Sequence, residues 1–333
     1  MTQSELARAV RDVLAVDTDE FRAEAATDAD FVLSALADGA FDNHQSILGL
    51  EYEFYAVTDD RWHSEADEEF ALARVPRRLL ELIGFEKELG LHNAEMTASP
   101  QPFNHHGLRA IESEVCSRLT AALDCSRPEG LRLVSDALWT IPPTGETARG
   151  YLTDSVDDDG IRIATNMTDA VRYHAMANAA LGDDSFRVDA PHVDIEAETL
   201  MPESLITSIQ PHYQMQQAMD LPRYFTYALR VAGPLLALGV NAPFFPPDLY
   251  EADADPEVIL ADGWHENRIA VFESVLNSAT ETDKVAFPRD LDSIEQAVER
   301  VVADETVVPM PVDRTDRYHD NFATLRRKHG TYW

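Results

Sequence analysis

The sequence predicts an α+β fold built around a mostly antiparallel sheet. Three observations point there. Apolar residues make up 45% and aromatic residues 8% of a 333-residue chain, enough for a sizeable core. Several short stretches alternate apolar and polar residues with the period of a half-buried strand. These stretches mix with helical ones irregularly, with no steady βαβ series. No repeat, low-complexity tract or linker divides the chain. The expected organisation is one main domain over residues 46–333, preceded by a helical N-terminal extension over residues 1–45.

Taken in order, SELARAVRDVLAV and DADFVLSALADGA predict two short helices within residues 1–45, with Ser4 and Asp28 or Asp30 as N-caps. ILGLEYEFYAV (47–57) predicts a strand, and residues 67–89 predict a helical stretch. LHNAEMTASP (91–100) predicts a second strand, stopped by Pro100. HHGLRAIESEVCSRLTAAL predicts a helix with Leu108, Ile111, Val115, Leu119 and Leu123 on one stripe. LRLVSDALWTI predicts a third strand, ended by Pro142 and Pro143. YLTDSVDDDGIRIA reads as an acidic surface loop and TDAVRYHAMANAAL as a helix. HVDIEAE could be a ligand-bearing strand, but a solvated acidic edge is the favoured expectation. ITSIQPHYQMQ predicts a fourth strand. LPRYFTYALRVAGPLLALGV is helical, interrupted at Gly233–Pro234, and HENRIAVFESVLN and LDSIEQAVERVVA predict two more helices.

The charge narrows the function classes. There are 60 acidic residues against 27 basic ones, a net charge of −33, and the only lysines are Lys87, Lys284 and Lys328. The acids are scattered rather than blocked, unlike a nucleic-acid mimic, and the apolar content is unlike an acidic disordered chain. A protein built for very high salt fits both facts, because a Debye length of about 3 Å at 1 M screens self-repulsion. Nucleic acid is not expected as a partner, since it needs clustered Lys and Arg. Cys116 and Cys125 fall in one predicted helix, facing opposite ways, and are expected as small core residues with no role in chemistry. No zinc, Walker A, G-x-G-x-x-G, H-E-x-x-H or G-x-S-x-G pattern occurs. His105–His106 is expected at a helix start, not at a metal. No run approaches 18 apolar residues and the N-terminus reads as an amphipathic helix, so no membrane partner is expected and the cytoplasm is the default location.

The chemistry sits on strand faces. Along residues 50–55, Leu50, Tyr52 and Phe54 point one way, while Glu51, Glu53 and Tyr55 point the other. In the second strand Asn93, Glu95 and Thr97 share a face. In the fourth, Ser208, Gln210, His212 and Gln214 do. A one-sided wet sheet explains any single strand. The set is explained better by a shared site, because several glutamates on one face stay ionised cheaply only beside cations. Mg²⁺ is the natural counter-ion: it takes carboxylate oxygens and leaves coordination positions for phosphates.

GLEYEF resembles the G-x-E-x-E opening strand of bacterial and archaeal glutamate–cysteine ligases, also called carboxylate–amine ligases. LHNAEMTASP, TSIQPHYQMQ, LLALGVNAPFF and WHENRIAVFES are similar, in order and rough spacing, to four further elements of that family. A haloarchaeal-like member is implied by the resemblance together with the acidic surface. The resemblance implies a glutamine-synthetase-like catalytic domain, a curved and mostly antiparallel sheet with helices on one face. It implies ATP and Mg²⁺ (or Mn²⁺) as cofactors, with Glu51, Glu53 and Glu95 as metal ligands. His212 and Gln214 would touch phosphate or the metal's oxygen shell, Arg268 a carboxylate or the transferring phosphoryl group, and Asn241 the amino-acid site. The implied reaction joins the γ-carboxylate of glutamate, through an acyl phosphate, to an amine, with cysteine expected from the family. The partners would be these small molecules, and a homo-oligomer is compatible with them. The sequence departs from the family pattern at NAPFF, which replaces a Ser-rich form. It also ends at RRKHGTYW, where the family continues with a strand of alternating Arg and Glu. A C-terminally truncated or non-catalytic paralogue, binding nucleotide or amino acid as a regulator or partner subunit, is therefore the second expectation.

Overall fold

Two helices open the chain, α1 (Gln3–Leu14) and α2 (Thr18–Ala37). In this computed structural model residues 1–59, 70–179, 185–278, 284–305 and 308–330 are described. Thr2 caps α1 in a reciprocal box with Glu5, and Asp17 caps α2 through the amides of Asp19 and Glu20. The predicted caps are therefore corrected. Ser4 lies inside α1, and Asp28 and Asp30 lie inside one long helix. α1 buries Leu6, Ala7, Val10 and Val13 in the main core.

β1 (Ile47–Thr58) follows as predicted. The helix expected over 67–89 is replaced by β2 (Leu72–Ala73), α3 (Arg77–Glu81) and β3 (Phe85–Lys87); residues 67–69 lie outside the described part. Gly84, at φ +83°, ends the helical turn, and Phe85 goes into the core at 3% exposure. β4 (Asn93–Pro102) runs on past Pro100, because a register shift against β1 between Leu48 and Leu50 makes room for it. α4 (His105–Ser126) is capped by Asn104. Most of the predicted stripe packs inward, with Ile111 buried and Val115 and Leu119 against the sheet beside Ala122, while Leu108 at the helix start is open to solvent. A Cβ at Gly107 would collide with the Pro102 carbonyl, so only glycine lets α4 start this close to β4. Cys116 is exposed on α4, against the expectation of a core position, and Cys125 is half-buried.

β5 (Leu131–Val134) is shorter than predicted, since the chain after Val134 turns away and retains only an isolated bridge at Leu138. α5 (Ala148–Thr153) leads into a hairpin, β6 (Ser155–Asp158) with β7 (Ile161–Ala164), where an acidic loop was expected. The Asp159–Gly160 pair supplies two positive φ angles, 55° and 83°, which suit a two-residue hairpin turn. α6 (Val171–Ala179) precedes a second hairpin, β8 (Phe186–Ala190) with β9 (Val193–Ala197). β10 (Ile209–Gln214) leads to α7 (Leu221–Gly239), which continues unbroken through Pro234. The proline removes a single N–H, and the orphaned carbonyl one turn earlier can be solvated on so exposed a helix. Then come α8 (Pro256–Asp262), α9 (Arg268–Asn277), α10 (Ile294–Ala303) and α11 (Ala323–His329). Asp28, buried on α2, accepts from the amides of Thr324 and Leu325 at 2.8 and 3.2 Å, so it serves as a cap for α11 from across the fold.

The fold is α+β, with a curled antiparallel sheet and helices against it. β10, β1, β4 and β3 lie side by side, while β2 and β5 pair with the far end of β1. One face of the sheet carries Phe54, Ala56, Ala94 and Met96 and is covered by α3 and α4 through Leu80, Val115, Leu119 and Ala122. The other face begins polar at Glu51 and Glu53, then meets the larger core through Tyr55 and Val57. Among the described residues no helix is long and apolar enough to cross a membrane.

Candidate active site

The polar face of β1 is the floor of a cleft of about 750 Å³, with walls from α6, α9 and the segment 200–208. Register builds the floor. Glu53 stands opposite Glu95 on β4, and Glu51 stands opposite Thr97 on β4 and Gln210 on β10. Two neighbours hold the Glu53 carboxylate: the Ser208 amide donates to Oε2 at 2.7 Å, and Gln210 Nε2 donates to Oε1 at 2.7 Å. The Thr97 hydroxyl donates to Glu95 at 3.1 Å.

Two further carboxylates enter that the sequence did not suggest. Glu88 follows β3 in the turn toward β4. Leu89, 1% exposed, anchors this turn, and the Leu89 amide and Tyr173 hydroxyl donate to Glu88 Oε1 at 2.9 and 3.2 Å. A helix over residues 67–89 would give Glu88 no such place; Gly90, just before a strand, is the signal in the sequence for a hairpin connection. Glu203 sits on a 3₁₀ turn, Met201–Leu205, whose Met201 and Leu205 are fully buried. That turn is pinned from beneath. The Ser204 carbonyl accepts from Trp139 Nε1 at 3.1 Å and from His92 Nε2 at 2.9 Å. Because the carbonyl only accepts, the His92 proton is on Nε2, and Nδ1 takes the Tyr151 hydroxyl at 3.0 Å. Burial pushes His92 down to about 3, so it stays neutral.

The electrostatics of this cluster are unfavourable without a cation. Burial, and then repulsion from Glu53, push Glu203 up to about 8. Glu88 is raised well above the carboxylate range by burial, by a hydrogen bond shared with Glu95 and by the charges around it. Glu53 is raised by burial, with the Ser208 bonds opposing and Glu95 reinforcing. Glu53, Glu88 and Glu95 each bring a carboxylate oxygen to within 4.8 Å of the other two. Three hard carboxyl oxygens so close in a half-buried pocket form a donor set suited to a divalent ion such as Mg²⁺, whose charge would favour their ionised forms.

The cations stand at the walls. Arg268, the first residue of α9, grips Glu266 through Nε and Nη2 at 2.8 and 2.7 Å, and its Nη2 lies 3.4 Å from Asn241 Oδ1. Burial would raise Glu266, but these bonds outweigh it and hold the carboxyl below its usual range. Arg172 lies over the Tyr173 ring at 4.8 Å, and Lys87 pairs with Asp169 at 2.9 Å. All three cations line the cleft.

The sequence-predicted residues are thus only partly convergent. Glu51, Glu53, Glu95 and Arg268 line one cleft. Glu51 stands outside the close carboxylate trio and instead lies 3.1 Å from His212 Nε2. Asn241 joins through Arg268. His212, Asn241 and Gln214 are not among the residues that line the cleft, and β10 carries Gln214 to its exposed end, opposite Ile47.

A family model for glutamate-cysteine ligase family 2 (GCS2) matches residues 47–333. The chain belongs to that family. Its matched region takes in the sheet, the carboxylate trio and Arg268, so the GCS2 assignment and the cleft describe the same part of the chain. This makes the protein a ligase of the glutamate-cysteine ligase type. No curated protein matches the GCS2 chain in a whole-sequence comparison.

Proposed function

We propose that this GCS2 protein is an ATP- and Mg²⁺-dependent ligase that joins the γ-carboxylate of glutamate to an amine, with cysteine the expected amine. The trio of Glu53, Glu88 and Glu95 at the cleft floor carries the proposal. These three would hold the ion, whose charge would offset that of the triphosphate when bound. Glu51 lies next along the floor, and His212, outside the cleft lining, meets it at 3.1 Å. The Ser208 amide and Gln210 fix the rotamer of Glu53, so its oxygens are oriented before any ligand arrives. Arg268, Arg172 and Lys87 bring positive charge to the walls, and Arg268, whose Nε–Nη2 edge is held by Glu266, would present Nη1 to a carboxylate or phosphoryl oxygen.

The chemistry asked of the protein is positional. A glutamate γ-oxygen attacks the terminal phosphorus of ATP, ADP leaves, and the amine then displaces phosphate from the acyl carbon to form an amide. No covalent protein nucleophile is required, in keeping with the surface position of Cys116. The activity is assigned to residues 46–333, with residues 1–45 as a helical extension. The charge of −33 recommends assay in molar KCl. ADP release should require glutamate and an amine together, and chromatography of the product should show a γ-glutamyl amide. Nucleotide binding without ADP release for any amine would favour a regulatory paralogue.

A further inference from the structure

α7 is apolar, nineteen residues long, and has no buried residue. Its inner side is half-buried at Phe225, Leu229 and Ala232, and Leu236 reaches the cleft wall. Its outer side carries Tyr227, Val231, Leu235 and Leu238, exposed by 58%, 46%, 61% and 87%. Their spacing of four, four and three residues puts them on one stripe, opposite the inner set. Among the described residues no segment of the chain covers that stripe. A helix of this length draws much of its stability from covered apolar surface, and on its outer side α7 has none among the described residues.

Charge identifies the occupant. Residues 221–247 contain no Asp or Glu. At the chain's average density of 60 acidic residues in 333, a run of that length would hold about five. Two copies of a chain with charge −33 repel each other wherever acidic surfaces meet, and this bare face lets them approach without that cost. We propose that the outer face of α7 is a self-association surface, on which a second copy of this chain packs across a twofold axis. With the axis near Val231 and the helices antiparallel, Tyr227 meets Leu235 of the partner subunit, and each Val231 meets its own copy. Arg223 then lies beside the carbonyl end of the opposing helix, where a cation is favoured.

The expected dimer is salt-dependent. A helix of nineteen residues is about 28 Å long and about 10 Å wide, so one side offers about 440 Å², well short of the ~800 Å² per partner of a standard interface. Molar salt screens the remaining repulsion, and lowering it should dissociate the pair.

Sedimentation equilibrium of the full chain tests this. In molar KCl the wild type should sediment at twice 37.2 kDa and shift toward one copy as KCl is lowered. Leu235→Glu and Leu238→Glu replace exposed side chains, so the circular dichroism should stay unchanged while self-association weakens at least tenfold. Leu260→Glu, equally exposed on α8, should remain dimeric. A wild type of single-chain mass at every concentration overturns the proposal, and does so in favour of a lipid surface if that monomer pellets with phospholipid vesicles. Dimers that persist in both α7 variants, or that dissolve equally in Leu260→Glu, also overturn it.

Discussion

Two strands of this protein share a pattern and differ in fate. β1 alternates Glu51 and Glu53 with Tyr52 and Phe54; β9 alternates Asp194 and Glu196 with Val193 and Ile195. On β9 the acids are exposed, and Glu196 is met by the Ser185 hydroxyl and by Arg187 at 3.3 Å. Those partners, Ser185 first, hold its carboxyl below the usual range. On β1 the acid lies under helices and a 3₁₀ turn, close to other carboxylates, and burial raises Glu53 instead. Alternation therefore reveals which face is polar. Whether that face is a solvated edge or a reactive floor depends on what is laid over it.

The largest effect should come from breaking the floor. Glu53→Gln should lower ligase turnover by roughly 10²-fold or more, the scale seen when one preorganised electrostatic group is removed from a reaction centre. Glu196→Gln should leave turnover unchanged. Equal losses in steady-state ADP release would erase the distinction between the two strands.

A divalent ion should sharpen the same contrast. Mg²⁺ at about a hundredfold over its dissociation constant should stabilise the wild type by about 2.7 kcal/mol, read as a rise in melting temperature. Glu88→Gln should remove most of that rise, and Glu196→Gln none of it. A Glu88→Gln protein with the full rise would take Glu88 out of the donor set.

Acid should act beneath the floor rather than at the hairpin. His92 is depressed to about 3, and burial also lowers His174. The unfolded chain then binds protons more readily than the folded one, so this stability is complete above pH ~6.5 and is lost as pH falls below it. The slope should approach about 1.4 kcal/mol per pH unit for His92 in denaturant titrations, with His174 adding in the same direction. His92→Gln should reduce it; an unaltered slope would mean that His92 charges freely in the folded protein.

The smallest effect should be at the exposed pair. Arg187→Ala should give a melting temperature indistinguishable from wild type in molar KCl, because solvent and salt screen that contact. A clear loss of stability would show the β9 edge to be more than solvated surface.

The order of most strands and helices, the polar faces carrying Glu51, Glu53 and Glu95, and the resemblance to glutamate–cysteine ligases could all be read from the residues. Those signals are local: side-chain alternation, helical spacing and short motifs survive without knowledge of distant contacts. The hairpin at Asp159–Gly160 is written in its turn residues, although the acidity of the stretch suggests a loop. Three things were decided by tertiary structure alone. The β3–β4 turn swings Glu88 beside Glu95, the buried network of His92, Trp139 and Ser204 presents Glu203 to the cleft, and β10 carries Gln214 beyond the rim. Each depends on where the chain is held by residues far away in sequence. The desolvation that raises the floor carboxylates has no counterpart in a linear string, because it arises only when other segments exclude water from them.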